Sequence, residues 1–336
     1  MSTRFFALLS LFAVFALGAA MPAAADDDGV HRFATLPKPG PGFPEGIAAD
    51  RRGRIFVATF DFTTTNVIYI FDRNGRLDET ISLPAGVVPL GMEFDHRGNL
   101  YVANFGGGTV LKFEPPFNSG SVPQTFPITG CAGPSAGECG LNAITFDSAG
   151  LLYVSDSFGG RIFTLNTSTA ASALYVADEL LKPAPAPHGF PGFGSNGLAF
   201  DAKGQFLYVA NTADDRILKV SVALPRTVTP FAESINGADG IAFDSKGRLW
   251  VAANQGDHVV ALNSKGRVIE RVGSFQGVGK DGAARGLQFP ASIVISRGDI
   301  YVTNLALPLT PAPERAGDEP EEDVSTYTVS RFRIPH

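Results

Sequence analysis

The apolar positions of this chain fall into short runs separated by polar turns, and six of those runs share one frame. Each copy begins with a small or polar residue followed by Gly or another small residue. It continues as an apolar stretch closing on Asp, meets a Gly three residues later, and passes into a second, alternating apolar run. The copies are Pro44 to Asp50 with Gly53, Pro89 to Asp95 with Gly98, Leu141 to Asp147 with Gly150, Ser195 to Asp201 with Gly204, Ala238 to Asp244 with Gly247, and a degraded Pro290 to Ser296 with Gly298. Their second residues fall at 45, 90, 142, 196, 239 and 291, giving steps of 45, 52, 54, 43 and 52. A repeat of that length signals a propeller blade or a solenoid unit.

Each copy predicts two strands joined by a tight turn, in which Asp bonds its own backbone and Gly takes a positive φ. The run after the turn, such as Leu100 to Ala103 or Leu249 to Ala252, is rich in β-branched and aromatic residues and reads as a strand. Third strands are predicted over Val67–Phe71, Val110–Phe113, Arg161–Leu165, Arg216–Val220, Val259–Asn263 and Tyr327–Ile334, and fourth strands near 76–83, 173–178, 227–232 and 267–272. No stretch holds a period of about 3.6 residues for three turns, so long amphipathic helices are not expected.

Six four-stranded units between about residue 30 and the C-terminus predict an all-β fold, a six-bladed β-propeller forming one domain over residues 26–336. An open solenoid is the competing geometry. The last unit lacks a fourth strand after Ile334, whereas His31 to Leu36 is strand-like and unassigned, so the N-terminal strand is predicted to complete the last blade and shut the ring. Ala306 to Asp323, acidic and Pro-rich, reads as a solvated insert in that blade.

The first 25 residues carry one charge, Arg4, then an apolar run from Phe5 to Leu17 broken by Ser10, and small residues up to Ala25. This is the pattern of a cleaved signal peptide over 1–25, too short to span a bilayer, and it predicts a secreted or periplasmic protein. Without Arg4 the chain has 26 Lys and Arg against 33 Asp and Glu, a net charge of −7, with no basic cluster in the sequence. Nucleic acid and membrane surfaces are therefore not expected partners; a small-molecule substrate and a monomer are. The two cysteines, Cys131 and Cys139, lie in a Gly/Pro/Ser stretch and suit one short-loop disulfide better than a metal site, with two free thiols as the alternative.

In a closed ring the second residues of the six copies, Glu45, Leu90, Asn142, Asn196, Asp239 and Ala291, converge on one mouth of the central channel. Four carry hard oxygen atoms. Two carboxylates and two amide carbonyls suit Ca²⁺, with other divalent ions possible, and the absence of Cys and His from the set disfavours zinc. The alternative is ordinary turn chemistry, since Asn and Asp before Gly are common turn residues.

With these residues placed, the repeats resemble the superfamily of senescence marker protein (regucalcin), gluconolactonase and luciferin-regenerating enzyme, whose relatives include diisopropyl fluorophosphatase and paraoxonase. The resemblance implies a six-bladed propeller with a central divalent ion held by a Glu entering the first blade, Asn residues entering the third and fourth, and an Asp entering the fifth. Glu45, Asn142, Asn196 and Asp239 stand at those positions. It implies a calcium-dependent hydrolase of the lactonase or esterase type, with Asp239 also serving as base or nucleophile. Sugar-lactone members place an Arg two residues before the blade-three Asn; Gly140 stands there in this chain, which argues against sugar specificity. The loop aromatics Phe60, Phe62, Phe105, Phe158, Phe190 and Phe193 are expected to form an apolar rim instead, or to pack between blades.

Two histidines complete the candidate catalytic set. His188, in the loop from Pro183 to Gly194, is placed to overhang the mouth as a proton shuttle, and His258 follows a second strand on the same expected face. Asn104, Asp156, Asn211, Asn254 and Asn304 end second strands near that mouth and read mainly as turn formers. No phosphate-binding loop or Gly-x-Ser-x-Gly elbow is present. The rival reading is a non-enzymatic binding propeller that holds a small ligand or a protein partner.

Overall fold

The computed structural model describes residues 29–61, 63–133, 139–184, 192–309 and 319–335. The expected leader, His188, Phe62, Phe190 and part of the acidic insert lie outside the described residues. Among those described, six four-stranded antiparallel sheets and one two-stranded sheet are formed. The six large sheets are the blades of a propeller. Their inner strands are Pro44–Ala49, Pro89–Phe94, Leu141–Phe146, Ser195–Phe200, Ala238–Phe243 and Pro290–Ser296.

The sixth blade is built from both ends of the chain. Its strands lie in the order Pro290–Ser296, Asp299–Asn304, Thr328–Arg333 and His31–Thr35, the last pairing His31 with Arg331 and Thr35 with Thr328. Closure between distant segments removes the free edge that an open solenoid would expose.

The Asp-to-Gly turns take the form their sequence predicts. In blade three, Asp147 Oδ1 accepts from the N–H of Ala149 and of Leu151, both at 2.9 Å, and Gly150 sits at φ 84°. The second strands Ile55–Thr59, Leu100–Asn104, Leu152–Asp156 and Leu249–Ala253 are buried at every position. A blade packed on both faces by its neighbours needs an apolar residue on both, so these strands lose the alternation seen in a one-faced sheet. The outer strands, such as Leu77–Ser82 and Ala171–Ala177, are mostly exposed.

Between blades the core is aliphatic and aromatic. Blades one and two share a cluster including Phe56, Ile68, Ile70, Leu111, Phe113 and Phe117, in which Phe56 and Phe117 meet edge to face at 5.2 Å. Two elements were not expected from sequence. Gln124–Pro127 forms the fourth strand of blade two, held by one buried side chain, Phe126. Phe275–Val278 and Ala284–Gly286 form a small hairpin that bridges to Thr326 through Ala283. Both segments are short, and Pro127, Gly277 and Gly279 weaken their strand pattern.

One irregularity recurs in every blade and positions the site. The register between inner and second strands shifts between the first and fourth residues of all six inner strands, for example between Leu141 and Ile144 or between Ser195 and Leu198. Two residues of the inner strand there oppose one residue of its neighbour, which defines a β-bulge. The first bulged residue in each blade is the position-two residue read from the repeat. The residue after it meets the next inner strand closely: a Cβ on Gly197 would lie 2.2 Å from the Asp239 carbonyl oxygen. Where that residue is not Gly, the opposing side chain is a hydroxyl that accepts the bulge N–H: Ala143 donates to Ser155 at 2.9 Å and Ser292 to Thr303 at 3.0 Å.

Candidate functional site

Five of the six bulges place their first residue on one cavity at an end of the channel; the sixth, Ala291, does not line it. Glu45, Asn142, Asn196 and Asp239 are all about 5% exposed or less, and all four line one cavity of about 340 Å³ together with Leu90. The predicted set is thus brought together by the fold.

A second ring of six surrounds the first. The residue following each second strand donates its N–H to the carbonyl just before the inner strand: Phe60 to Phe43, Phe105 to Val88, Ser157 to Gly140, Thr212 to Gly194, Asn254 to Gly237 and Leu305 to Phe289. In blades three to five this outer residue bonds the channel residue of its own blade. Asn142 Nδ2 donates to Ser157 Oγ at 3.1 Å, Asn196 Nδ2 to Thr212 Oγ1 at 3.0 Å, and Asn254 Nδ2 to Asp239 Oδ2 at 3.1 Å. In blades one, two and six the outer residue is Phe60, Phe105 or Leu305, whose hydrocarbon side chain has no polar atom to turn to the channel residue.

The cavity is accordingly divided. Asn142, Asn196, Thr212, Asp239 and Asn254 make a polar half over blades three to five, while Phe60, Leu90, Phe289, Leu305, Leu307 and Leu309 make an apolar half over blades one, two and six, to which Phe193, just before blade four, adds one more ring. Glu45 is the one acidic side chain in the apolar half.

Electrostatics set the two carboxylates of the ring apart. Burial first, and then the negative charge of Asp239, push the Glu45 carboxyl well above its ordinary range. Burial lifts Asp239 as well, against the amides of Asn254 and Asn196, which favour its anion. Glu45 Oε2 and Asp239 Oδ1 are buried with no hydrogen-bond partner among the described residues, and neither carboxylate forms an ion pair there. Two buried acids side by side without a counter-charge are costly unless protonated or bridged by a cation. No group of three or more His, Cys, Asp or Glu placed so as to hold a metal ion occurs among the described residues; half of this donor set is amide oxygen. Two carboxylates with orphaned oxygens and two amide carbonyls fit a hard divalent cation.

The other candidates fall outside this ring. His258 does not line the cavity. It opens the third strand of blade five, with Nδ1 against the Gly256 carbonyl oxygen and Arg271 Nη1 at 3.3 Å, and burial together with Arg271 lowers its pKa. The turn Asn254–Gly256, with Asp257 at φ 53°, carries the chain outward before His258 is reached, so the expectation that it faces the mouth is corrected. Asn104 Oδ1 and Asp156 Oδ1 accept backbone N–H groups from Val88 and Gly140, as turn formers do, and of the strand-ending set only Asn254 touches the ring. Phe60 and Phe193 line the cavity; Phe105 and Phe158 stand behind Phe193, with ring centroids 6.0 and 5.6 Å from it.

Ser157 and Thr212 were not singled out by sequence. The signal that finds them is the repeat frame itself, because they occupy the position of Phe60 and Leu305 in other blades. Cys131 and Cys139 form a disulfide, with Cα atoms 5.3 Å apart, immediately before the inner strand that carries Asn142. Below the site, a second cavity of about 460 Å³ opens from the other end of the channel and contains Glu93, whose carboxyl burial pushes up to about 7 against a contact from Thr145.

Comparison with known proteins agrees with this frame. Residues 140–274 match the family described as SMP-30/Gluconolactonase/LRE-like region, a span that covers blades three to five and so Asn142, Asn196 and Asp239. No curated protein matches the chain. Among solved structures, a luciferin-regenerating enzyme is similar with a TM-score of 0.64 at 12% identity, over 90% of this chain and 94% of that one. A gluconolactonase from Xanthomonas campestris has a TM-score of 0.62 at 13% identity over 91% and 89%. A virginiamycin B lyase from Staphylococcus aureus has a TM-score of 0.57 at 11% identity over 91% and 99%. At these identities the likeness is one of fold.

Proposed function

We propose, from the match of residues 140–274 to the SMP-30/gluconolactonase/LRE-like region, that this protein is a calcium-dependent hydrolase of the lactonase or esterase type acting on a substrate with an apolar substituent. The observation that carries this reading is the pair of buried, unpartnered carboxylate oxygens on Glu45 and Asp239, in a cavity walled on one side by apolar residues. Glu45, Asn142, Asn196 and Asp239 would hold the ion. When bound, a calcium ion there supplies a Lewis acid that polarises a carbonyl oxygen.

The chain's own residues do the rest. Asn254 holds Asp239 through Oδ2, which leaves Oδ1, the oxygen without a hydrogen-bond partner, as the atom that would take a proton from water or attack the carbonyl carbon. Phe60, Leu90, Leu305 and Leu307 bind the apolar part of the substrate and exclude water around the reacting carbonyl. Gly140 at the position where sugar-lactone relatives carry Arg, together with this apolar wall, argues for an alkyl- or aryl-substituted lactone or ester over a sugar. Export is part of the proposal, supported by the leader pattern and by a disulfide, which persists in oxidising compartments.

The test is hydrolysis of a panel of apolar and sugar lactones by the purified chain, with calcium and with chelator, in water labelled with heavy oxygen. Chelator-sensitive turnover of the apolar lactones, with one label in each product acid, is expected. Calcium binding without turnover on any member would favour the binding-propeller reading.

A further inference from the structure

We propose that Ser157 and Thr212 are positioning residues that fix which way the Asn142 and Asn196 amides face, and so present both amide oxygens to the channel centre. The inference rests on the metal reading above and deepens it.

An asparagine amide is nearly symmetric in shape, and only its hydrogen-bond partners decide whether oxygen or nitrogen faces a given direction. A hydroxyl carries a single hydrogen. Thr212 Oγ1 lies 2.7 Å from the Ala238 carbonyl oxygen, and Ser157 Oγ lies 2.8 Å from the Ser195 carbonyl oxygen. A backbone carbonyl accepts and cannot donate, so each hydroxyl spends its hydrogen on the next blade. Toward its asparagine it has only lone pairs left. Asn196 and Asn142 must then turn Nδ2 to the hydroxyl, at 3.0 and 3.1 Å, and Oδ1 away from it. Neither Oδ1 accepts a hydrogen bond among the described residues, and both side chains line the cavity.

The orientation is propagated around half of the ring. The carbonyl that holds Ser157 belongs to the residue before Asn196, and the carbonyl that holds Thr212 belongs to the residue before Asp239. Each amide is thereby set against the strand that delivers the next donor. Asp239 has two equivalent oxygens and needs no choice of face, and its partner at the same position is a donor, Asn254. In blades three to five the outer position therefore carries an acceptor where the channel residue is an amide and a donor where it is a carboxylate. A flipped amide would point N–H at a cation, which is repulsive.

The test is calorimetric titration of calcium into the chelator-stripped full chain, paired with the thermal midpoint of the stripped protein. Thr212→Val keeps the shape and removes the acceptor; Ser157→Ala does the same in blade three; Thr212→Ser keeps the hydroxyl. Thr212→Val and Ser157→Ala are each expected to weaken calcium binding by about tenfold or more, the range seen when groups that orient ligands are removed. Thr212→Ser is expected to bind within about twofold of wild type. Wild-type affinity in both Thr212→Val and Ser157→Ala overturns the inference alone. So does equal weakening in Thr212→Ser and Thr212→Val, since the loss then follows packing and not the hydroxyl. A wild-type chain that takes up no calcium overturns the metal reading and this inference with it.

Discussion

Asn254 Nδ2 donates to Asp239 Oδ2 at 3.1 Å, while Oδ1 of the same carboxylate is buried without a partner. One oxygen is thus anchored to the blade and the other is left without a hydrogen bond, as a base or nucleophile requires. Asp239→Asn keeps an oxygen for the cation and removes the charge. Turnover is expected to fall by about 10²- to 10⁴-fold, the usual contribution of such a group. The thermal midpoint of the chelator-stripped protein is expected to rise, because Glu45 then no longer faces a second acid. Full turnover in this variant with calcium bound would remove Asp239 from the chemistry.

The stability of the stripped protein should depend on pH in a direction opposite to ordinary acid denaturation. Glu45, Glu93 and Asp239 all have their folded pKa raised by burial above the unfolded range near 4. Between that range and about pH 7, the value reached by Glu93, the folded state binds more protons than the unfolded state, so unfolding free energy falls as pH rises. Urea midpoints without calcium are therefore expected to be higher at pH 5 than at pH 8. Excess calcium should reverse the order, since it binds the deprotonated site and adds stability by mass action. Equal midpoints at both pH values in the stripped protein would show that these acids are not buried as described.

The ring of position-two residues was legible in sequence because six repeats share one frame, and one frame in a closed ring means one height along the channel. Glu45 and Asp239, far apart in the chain, are neighbours for that reason alone. The polar ring behind it was less legible. Ser157 and Thr212 act by bonding carbonyls of the next blade, 38 and 26 residues further on, and nothing local to either residue announces that. His258 shows the converse error: its place in sequence is close to Asn254, but a short turn with a left-handed residue puts it on the third strand, two strands out from the one that borders the channel. The hairpin over Phe275–Val278 and Ala284–Gly286 was hidden by glycines that a packed strand does not need.

The apolar half of the cavity should set substrate preference. Leu307 is partly exposed, lines the cavity, and packs with Phe60, Leu90 and Phe105. Leu307→Ala removes apolar contact worth about 1–2 kcal/mol when a substrate chain is buried against it. Specificity constants for lactones with a long alkyl substituent are expected to drop by about 5- to 30-fold, with little change for the unsubstituted lactone. A uniform drop across the series would place the substituent elsewhere.

The disulfide tests how far the blade-three entrance depends on a covalent staple. Cys131 and Cys139 are buried in the cluster that contains Leu141 and Ile144, directly ahead of Asn142. Closing a loop of eight residues restricts the unfolded chain by about 2.5 kcal/mol in the chain-entropy account. The paired Cys131→Ser and Cys139→Ser substitutions are expected to lower the unfolding free energy by about that amount, read from urea midpoints at constant slope. Calcium affinity should change far less than in Thr212→Val, because the inner strand Leu141–Phe146 is held independently by its pairing with Leu152–Asp156. If affinity falls as far as it does in Thr212→Val, the staple and not the sheet holds Asn142 in place.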